Sequence, residues 1–232
     1  MVDEKEFCKL ANRIVNVAKR LHIRGILSGI GGNISVRTSN PDNIIVSPSG
    51  IPISDMLSDD LCLVDISESK KDKFIMLKGK YKYTSEIYLH SKIYINRPEI
   101  KAVIHTHSPM ITAYACTNKK IDFKILEDQR WYIGDVEYLP FVSSSTKELA
   151  EVAWPKLTKN YALILKNHGL VTLGDSLCEA VNITELLEEL AKINYYAEDI
   201  SKGKTVEIPN EYWENRKIVP RNNLIYNDEV FD

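Results

Sequence analysis

The sequence lacks the features that mark membrane, secreted and nucleic-acid-binding proteins. It has no run of 18 apolar residues, and its N-terminus is charged from the third residue, so neither a membrane span nor a signal peptide is predicted. The 30 lysine and arginine side chains are balanced by 32 acidic ones. A net charge of −2 gives no support for a nucleic acid or a membrane surface as partner.

Cysteine is also scarce. The four cysteines, Cys8, Cys62, Cys116 and Cys178, lie far apart and include no CxxC pair. This spacing argues against a disulfide framework and against a thiolate metal site, and it indicates free thiols in a reducing compartment. We therefore predict a cytoplasmic protein.

What is present indicates an ordinary globular domain. The chain has 232 residues, of which 44% are hydrophobic and 27% charged, and we predict a single domain over residues 1–232. The C-terminal tail, residues 204–232, is too aromatic for a solvated segment. We expect it to pack on the body or on a neighbouring subunit. Its aromatic residues are Tyr212, Trp213, Tyr226 and Phe231.

Helix and strand signals alternate along the chain. Apolar residues at three- and four-residue steps predict helices that begin after Asp3, in the Thr84–Ser85 region, after Ser108, near Ser145 or Thr146, and after Asp175 or Ser176. Short apolar or alternating runs predict strands. These runs cover residues 34–37, 43–47, 61–66, 74–77, 101–106, 135–141, 161–165 and 170–173.

The most informative motif is His105-Thr106-His107, at the end of the apolar run 101–106. Alternate residues of a strand share a face, so the two imidazoles are expected to project side by side. A third histidine, His168, follows the predicted strand 161–165. Three imidazoles with an open fourth position are typical of catalytic zinc sites. The alternative is a set of core histidines bonded to backbone carbonyl groups.

Glu86 is an acidic residue close to a predicted helix start. Thr84 and Ser85 are expected in the cap region of that helix and Glu86 in its first turn. The simplest role for Glu86 is a favourable interaction with the helix dipole. His90, one turn further on, is expected to be a packed or exposed helical histidine.

A glycine cluster, Gly29, Gly31 and Gly32, precedes Asn33 and a strand. A dinucleotide-binding fingerprint needs a helix there, so that interpretation fails. Two remain: a hairpin that requires positive φ angles, or an anion nest of backbone N–H groups with the Asn33 amide and a serine hydroxyl. The serine run 143–145 is likewise either a helix cap region or a substrate-facing loop.

Five motifs in order, GGNISVR, PSGIP, TSE, HTHS and NHGLVTLG, resemble the class II aldolase and adducin family. The similarity runs from about residue 25 to residue 203. The resemblance implies an α/β fold, a three-layer α/β/α sandwich with a central, mainly antiparallel sheet. It further implies a metal-dependent enzyme that forms a homotetramer with its active site at the subunit boundary.

The resemblance also assigns residues. It implies that His105, His107 and His168 bind one Zn²⁺ per subunit. It implies that Glu86 is a metal ligand in the resting enzyme and the catalytic acid/base. The substrate phosphate pocket that it implies consists of Gly32, Asn33, Ser49, Gly50, Thr84 and Ser85.

The implied reaction is the reversible cleavage of a ketose 1-phosphate, such as L-fuculose 1-phosphate, into dihydroxyacetone phosphate and an aldehyde through an enediolate. Glu86 favours this aldolase branch, since the pentulose-5-phosphate 4-epimerase branch has aspartate at that position. Other enzymes of the family stay open, including the 4-epimerase and a sugar-phosphate dehydratase or decarboxylase. A non-catalytic adducin-like interaction module, or a metal-binding protein without turnover, is a further alternative.

Overall fold

The computed structural model describes residues 2–215 and 226–232. Within these ranges the strands form one eight-stranded sheet, in the order β4-β3-β2-β1-β5-β8-β7-β6. All neighbours are antiparallel except β6 and β7, which are parallel. The strands are β1 (Asn33–Arg37), β2 (Asn43–Val46), β3 (Cys62–Asp65), β4 (Ile75–Lys78), β5 (Ala102–Thr106), β6 (Val136–Leu139), β7 (Ala162–Leu165) and β8 (Gly169–Gly174).

Helices cover both faces of this sheet. They are α1 (Glu4–Ile23), α2 (Ile87–Asn96), α3 (Pro109–Ala115), α4 (Glu127–Ile133), α5 (Lys147–Leu157), α6 (Leu177–Ser201) and α7 (Asn210–Asn215). Short 3₁₀ helices occur at Ser58–Asp60, Ser69–Lys71 and Asp228–Phe231. The sequence patterns did not predict α4 and α7, because each has only six or seven residues and too few turns for a periodic apolar face.

The alternation of side chains along the strands divides the core into two layers. On β5, Ala102 and Ile104 pack with α1 and the start of α6, whereas Val103 packs with α2 and α5 on the opposite face. Helices α3, α4 and α6 cover Ala162 and Ile164 of β7. The structure therefore confirms the three-layer α/β/α sandwich with a mainly antiparallel sheet.

The polar helix caps agree with most of the sequence predictions. The side chains of Asp3, Thr146 and Ser176 accept hydrogen bonds from backbone N–H groups at the starts of α1, α5 and α6. The prediction for α2 was displaced, because its N-cap is Glu86 itself. Thr84 Oγ1 accepts from the backbone N–H of Glu86 at 3.3 Å, which holds this segment in a turn before the helix begins.

The described part of the C-terminal segment contacts the body. Phe231 is 5% exposed and packs in the α1 core, and Asp232 pairs with Arg13 of α1. The phenol of Tyr212 donates to the Glu127 carboxylate. Residues 216–225 of the predicted tail lie outside the described residues. Among the helices of the described ranges, none combines the length and apolar character that a membrane crossing requires.

Candidate active site

The register of β5 decides where the histidines point. Because His105 has the same parity as Val103, it lies on the face covered by α2, directly opposite Asn33 of β1. His107 follows two residues later, just past the end of the strand. His168 lies in the short connection between β7 and β8, the latter being paired with β5. Three strands thus bring the predicted metal ligands together.

The three imidazoles converge on one point. The Nε2 atoms of His105 and His107 are 3.0 Å apart, and the His168 ring centroid lies 4.6 Å from that of His105 and 5.0 Å from that of His107. One ligand atom from each ring lies within 4.8 Å of the others. His105 is buried, His168 is half-buried and His107 is exposed. Such a group is closed on the protein side and open towards solvent.

The donor chemistry of these rings fits a divalent metal. His105 Nδ1 lies 2.9 Å from the Leu170 carbonyl oxygen, so Nδ1 carries the proton and Nε2 presents a lone pair. That lone pair faces a carboxylate oxygen of Glu86 at 3.2 Å, which is also an acceptor, and it lies 3.0 Å from His107 Nε2. A cation between them would satisfy all three.

The protonation states of the three imidazoles also fit metal binding. Burial lowers the pKa of His105, His107 and His168, and repulsion between neighbouring imidazoles lowers it further. Burial outweighs the opposing influence of the Glu86 carboxylate on each ring. Neutral imidazoles are the form that binds metal.

Glu86 lies against this histidine group. It is 5% exposed; its Oε2 accepts from Asn33 Nδ2 at 3.0 Å, and its Oε1 lies 3.6 Å from His168 Nε2. Burial acts to raise the pKa of Glu86, but the electrostatic influence of His105 and the hydrogen bond from Asn33 together outweigh it, so the pKa lies below its ordinary value. Oε1 is buried and has no hydrogen-bond partner within residues 2–215 and 226–232. An ionised carboxylate with one free oxygen can bind a metal or take a proton.

A cavity of about 230 Å³ lies beside the three histidines. It is lined by Glu86, by His105, His107 and His168, and by all six residues named for the phosphate pocket. Gly32 has a φ of +90°, and a Cβ there would lie 2.6 Å from the His105 carbonyl oxygen, so only glycine fits. Gly50 has a φ of +80° but open space around it. Ser49, Thr84 and Ser85 supply hydroxyl groups to the same cavity.

Ser144 and Ser145 also line this cavity, although neither was among the residues assigned to the phosphate pocket. The Ser145 hydroxyl donates to Ser85 Oγ at 2.8 Å, and its φ of +62° is uncommon for a residue other than glycine. Thr146, the residue after the serine run, caps α5, while Ser144 and Ser145 line the cavity. Sequence alone carries no signal for the positive φ angle.

His90 is more closely linked to the site than its helical spacing predicted. The His90 ring is fully buried, and its Nε2 forms a hydrogen bond with Asn33 Oδ1. Its Nδ1 lies 2.7 Å from Ser35 Oγ. Burial lowers its pKa to about 4, so the ring is neutral near pH 7. The four-residue step from Glu86 to His90 was the available signal, because residues at that spacing share a helix face.

Comparison with known proteins bears on what this site does. The family model for the Class II Aldolase and Adducin N-terminal domain matches residues 12–195. An L-fuculose phosphate aldolase from Methanococcus vannielii is 36% identical over 203 residues, which are 87% of this chain and 100% of the relative.

More distant relatives carry other names. A 5-deoxy-D-ribulose 1-phosphate aldolase from Bacillus thuringiensis is 28% identical over 89% of this chain and 93% of its own length. A 3-oxo-tetronate 4-phosphate decarboxylase from Haemophilus influenzae is 28% identical over 78% of this chain and 84% of its own length.

Solved structures agree with the fold. The Escherichia coli protein YgbL superposes with a TM-score of 0.79 at 27% identity, covering 91% of this chain and 99% of that structure. A structure of L-fuculose 1-phosphate aldolase gives a TM-score of 0.76 at 28% identity, covering 92% of this chain and 95% of that structure. Since the family match spans most of the chain and aldolases are similar over nearly their whole length, the chain belongs to the class II aldolase and adducin family and is a lyase.

Proposed function

We propose that the chain is a zinc-dependent sugar-phosphate aldolase. It would reversibly cleave a ketose 1-phosphate, such as L-fuculose 1-phosphate, into dihydroxyacetone phosphate and an aldehyde. The observation that carries this proposal is the Glu86 carboxylate, 3.2 Å from His105 Nε2, in the cavity that also holds His107, His168 and the hydroxyl groups. The similarity to L-fuculose phosphate aldolase supports it.

His105, His107 and His168 would hold the metal, with Glu86 as a fourth ligand before substrate binds. Three imidazole nitrogens and one carboxylate form a set that suits Zn²⁺. When bound, the ion would act as a Lewis acid that polarises the substrate carbonyl group and offsets negative charge on its oxygens. The lone pair that Leu170 fixes on His105 Nε2 supports this arrangement.

Glu86 would exchange the proton on the substrate carbon. In the condensation direction it removes a proton from the hydroxymethyl carbon of dihydroxyacetone phosphate. The electron pair left on that carbon attacks the aldehyde carbon, and the aldehyde oxygen takes up a proton. In cleavage, that hydroxyl proton is lost, the carbon–carbon bond breaks, and Glu86 returns a proton to the carbon.

Neutral groups would bind the phosphate. Among the described residues, the lining of the cavity contains no lysine or arginine. Thr84 and Ser85 lie just before α2, where hydroxyl groups and the helix N-terminus favour an anion. Ser49 and the Gly32 and Gly50 turns complete the proposed pocket. The described hydrogen bonds of the Asn33 side chain go to Glu86 and His90, so its phosphate contact is the most indirect of the set.

A second candidate is another enzyme of the same family. The relative named 3-oxo-tetronate 4-phosphate decarboxylase favours it, since it is similar over most of this chain. A decarboxylase would release carbon dioxide instead of dihydroxyacetone phosphate. The relative named 5-deoxy-D-ribulose 1-phosphate aldolase fits the first proposal with a different aldehyde product. A 4-epimerase or dehydratase would use the same metal and acid with a different substrate carbon.

Product analysis separates these candidates. Purified protein with bound metal is incubated with L-fuculose 1-phosphate, ribulose 1-phosphate, 5-deoxy-D-ribulose 1-phosphate, 3-oxo-tetronate 4-phosphate and a pentulose 5-phosphate. Chromatography that separates epimers, coupled to mass spectrometry, then follows each mixture. The proposal predicts dihydroxyacetone phosphate from at least one ketose 1-phosphate. Loss of 44 mass units alone indicates a decarboxylase, loss of water a dehydratase, and an isomer of unchanged mass an epimerase; any of these without cleavage contradicts the proposal.

The proposed assembly is a homotetramer. Three large side chains near the C-terminal end of α6 are exposed: Tyr195 by 51%, Tyr196 by 57% and Ile200 by 83%. Exposed apolar area of this kind favours burial against a neighbouring subunit. Sedimentation at micromolar concentration tests this, and an active monomer would refute it. A reducing, cytoplasmic compartment is proposed from the four cysteines, all of which are free.

A further inference from the structure

Helix α2 lies over strand β1, and polar side chains occur on the two elements at matching intervals. Glu86, His90 and Tyr94 are four residues apart, a rise of about 6 Å per step along one face of a helix. Asn33 and Ser35 are two residues apart on β1, a separation of about 6.7 Å. Because these spacings nearly agree, each strand side chain can reach two helix side chains. All five are buried, none being more than 6% exposed.

Hydrogen bonds join these five side chains, and the chemistry fixes their direction. An ionised carboxylate only accepts, so Asn33 Nδ2 donates to Glu86 Oε2. The Asn33 amide oxygen then faces His90 Nε2, which must carry the proton. His90 Nδ1 is left as an acceptor for the Ser35 hydroxyl at 2.7 Å. The Tyr94 hydroxyl donates to the Ser35 carbonyl oxygen at 2.9 Å, which ties the far end to the backbone of β1.

We propose that His90 is a positioning residue for the carboxylate, acting through Asn33. By donating from Nε2, His90 keeps the Asn33 amide turned so that its N–H, rather than its carbonyl oxygen, faces Glu86. The Asn33 amide in turn holds Oε2 in place. This inference rests on the proposed function, because it concerns the atom at which Glu86 exchanges a proton.

The geometry assigns that exchange to Oε1. Oε2 accepts a hydrogen bond from Asn33 Nδ2 at 3.0 Å and faces the lone pair of His105 Nε2 at 3.2 Å. Oε1 is buried without a hydrogen-bond partner in the described part of the chain, and it lies on the same side as His168. A proton taken from substrate therefore binds Oε1 while the Asn33 hydrogen bond stays intact. If the Asn33 amide turned over, its oxygen would face the carboxylate and repel it.

The same contacts also join α2 to β1, so a loss of stability alone does not distinguish positioning from packing. Two substitutions separate the roles. The amide of His90→Gln can place its N–H near the position of Nε2 and so retain the donor to Asn33. The shorter His90→Asn places its amide near Nδ1, which keeps a partner for Ser35 but leaves Asn33 Oδ1 without its donor.

The experiment measures the turnover number and Michaelis constant for cleavage of the ketose 1-phosphate that the wild type accepts. It also measures bound zinc, the melting temperature and the exchange of the hydroxymethyl hydrogen of dihydroxyacetone phosphate in D₂O. For His90→Asn we expect turnover and hydrogen exchange to fall together by about 10- to 100-fold, with the Michaelis constant and zinc content nearly unchanged. His90→Gln should recover most of that loss at a similar melting temperature.

A second variant is Ser35→Ala. Ser35 lies outside the cavity lining, and the substitution removes little volume. It deprives His90 Nδ1 of its donor, so the ring can take the other tautomer and lose its N–H towards Asn33. Turnover should fall by about 3- to 10-fold, again without a change in the Michaelis constant. If His90→Asn does not fold, this variant tests the proposal alone.

Unchanged turnover in Ser35→Ala and in folded His90→Asn would overturn the inference, as would equal losses in His90→Asn and His90→Gln. Two other results would contradict the proposed function itself. They are a wild type that does not exchange the hydrogen, and a Glu86→Gln variant that exchanges it as fast as the wild type. Slow exchange in Glu86→Gln with normal exchange in His90→Asn would reject only the role of His90.

Discussion

Glu86 and His105, on the buried side of the site, are held by a helix end and a strand, whereas Ser49, Gly50 and Ser145, on the open side, lie in turns. On the buried side little water reaches the polar atoms, so one lost hydrogen-bond partner is costly and electrostatic interactions are strong. On the open side, water can replace a lost hydrogen bond. The comparison predicts that substitutions on the buried side change chemistry or folding, while those on the open side change substrate affinity.

The largest effect is expected for the metal ligand that is most buried. His105→Ala should lose the bound metal and reduce cleavage by more than about 10⁴-fold, because two imidazoles no longer form a complete site. Metal analysis and steady-state kinetics on the same preparation check this. His22→Ala, an exposed histidine at the end of α1, is the matched control and should keep both. Full metal content in His105→Ala would contradict the proposed ligand set.

Glu86→Gln should separate proton transfer from metal binding. Loss of the acid/base is expected to lower turnover by about 10²- to 10⁴-fold, with the three imidazoles still holding metal. Glu188→Gln is a matched control, since Glu188 is 1% exposed and accepts from the backbone N–H groups of Met110 and Ile111. That control should lower the melting temperature and leave turnover near normal. Near-normal turnover in Glu86→Gln would remove it from the mechanism.

Two glycines compare the sides of the site directly. Gly50→Ala should cost about 1–2 kcal/mol of unfolding free energy, because alanine must adopt a positive φ angle in open space. Gly32→Ala should cost at least about 2 kcal/mol more, since its Cβ meets the His105 carbonyl oxygen and the Leu27 side chain, each at 2.6 Å. Denaturant unfolding of both variants measures the difference. Equal losses of unfolding free energy would mean that the structure around Gly32 adjusts to an added Cβ as readily as the structure around Gly50.

The smallest effects are expected at the hydroxyl groups of the open side. Ser85→Ala should raise the Michaelis constant by an amount that corresponds to about 1–3 kcal/mol, the range for a hydrogen bond to a charged group. Ser145→Gly should raise it by about 2- to 10-fold, since it removes one hydroxyl and relieves the positive φ angle. Zinc content should not change in either variant.

Thr146→Ala is the control for these serines. It removes the cap of α5 and should cost about 1 kcal/mol of stability with no change in the Michaelis constant. If Ser85→Ala and Ser145→Gly behave like Thr146→Ala, the hydroxyl groups serve only the local turns and the pocket proposal is wrong.

Some features of the fold and of the site could be predicted from the sequence, and others could not. The apolar run before His105 and the caps Asp3 and Ser176 are local signals, and the structure agrees with each of them. The pairing of β5 with both β1 and β8 is not local. The position of His168 after a predicted strand made it a candidate third ligand, and the family resemblance assigned it to the metal site.

Other features had no adequate signal. The link from His90 to Asn33 depends on how α2 is aligned over β1, which no single segment encodes. The positive φ angle of Ser145 is imposed by its surroundings on a residue that does not favour it. The start of α2 was displaced for a related reason, since Thr84 bonds the backbone of Glu86 instead of capping the helix.

Zinc titration of the metal-free protein measures whether cleavage depends on a metal held by this site. Protein depleted with a chelator is mixed with increasing Zn²⁺ while dihydroxyacetone phosphate released from the accepted ketose 1-phosphate is measured. The account predicts no cleavage without metal, a linear rise, and a break at one Zn²⁺ per chain. It predicts the same zinc stoichiometry with little cleavage in Glu86→Gln. Full cleavage by the metal-free protein, or a rate that does not respond to Zn²⁺ or any other divalent ion, would contradict it.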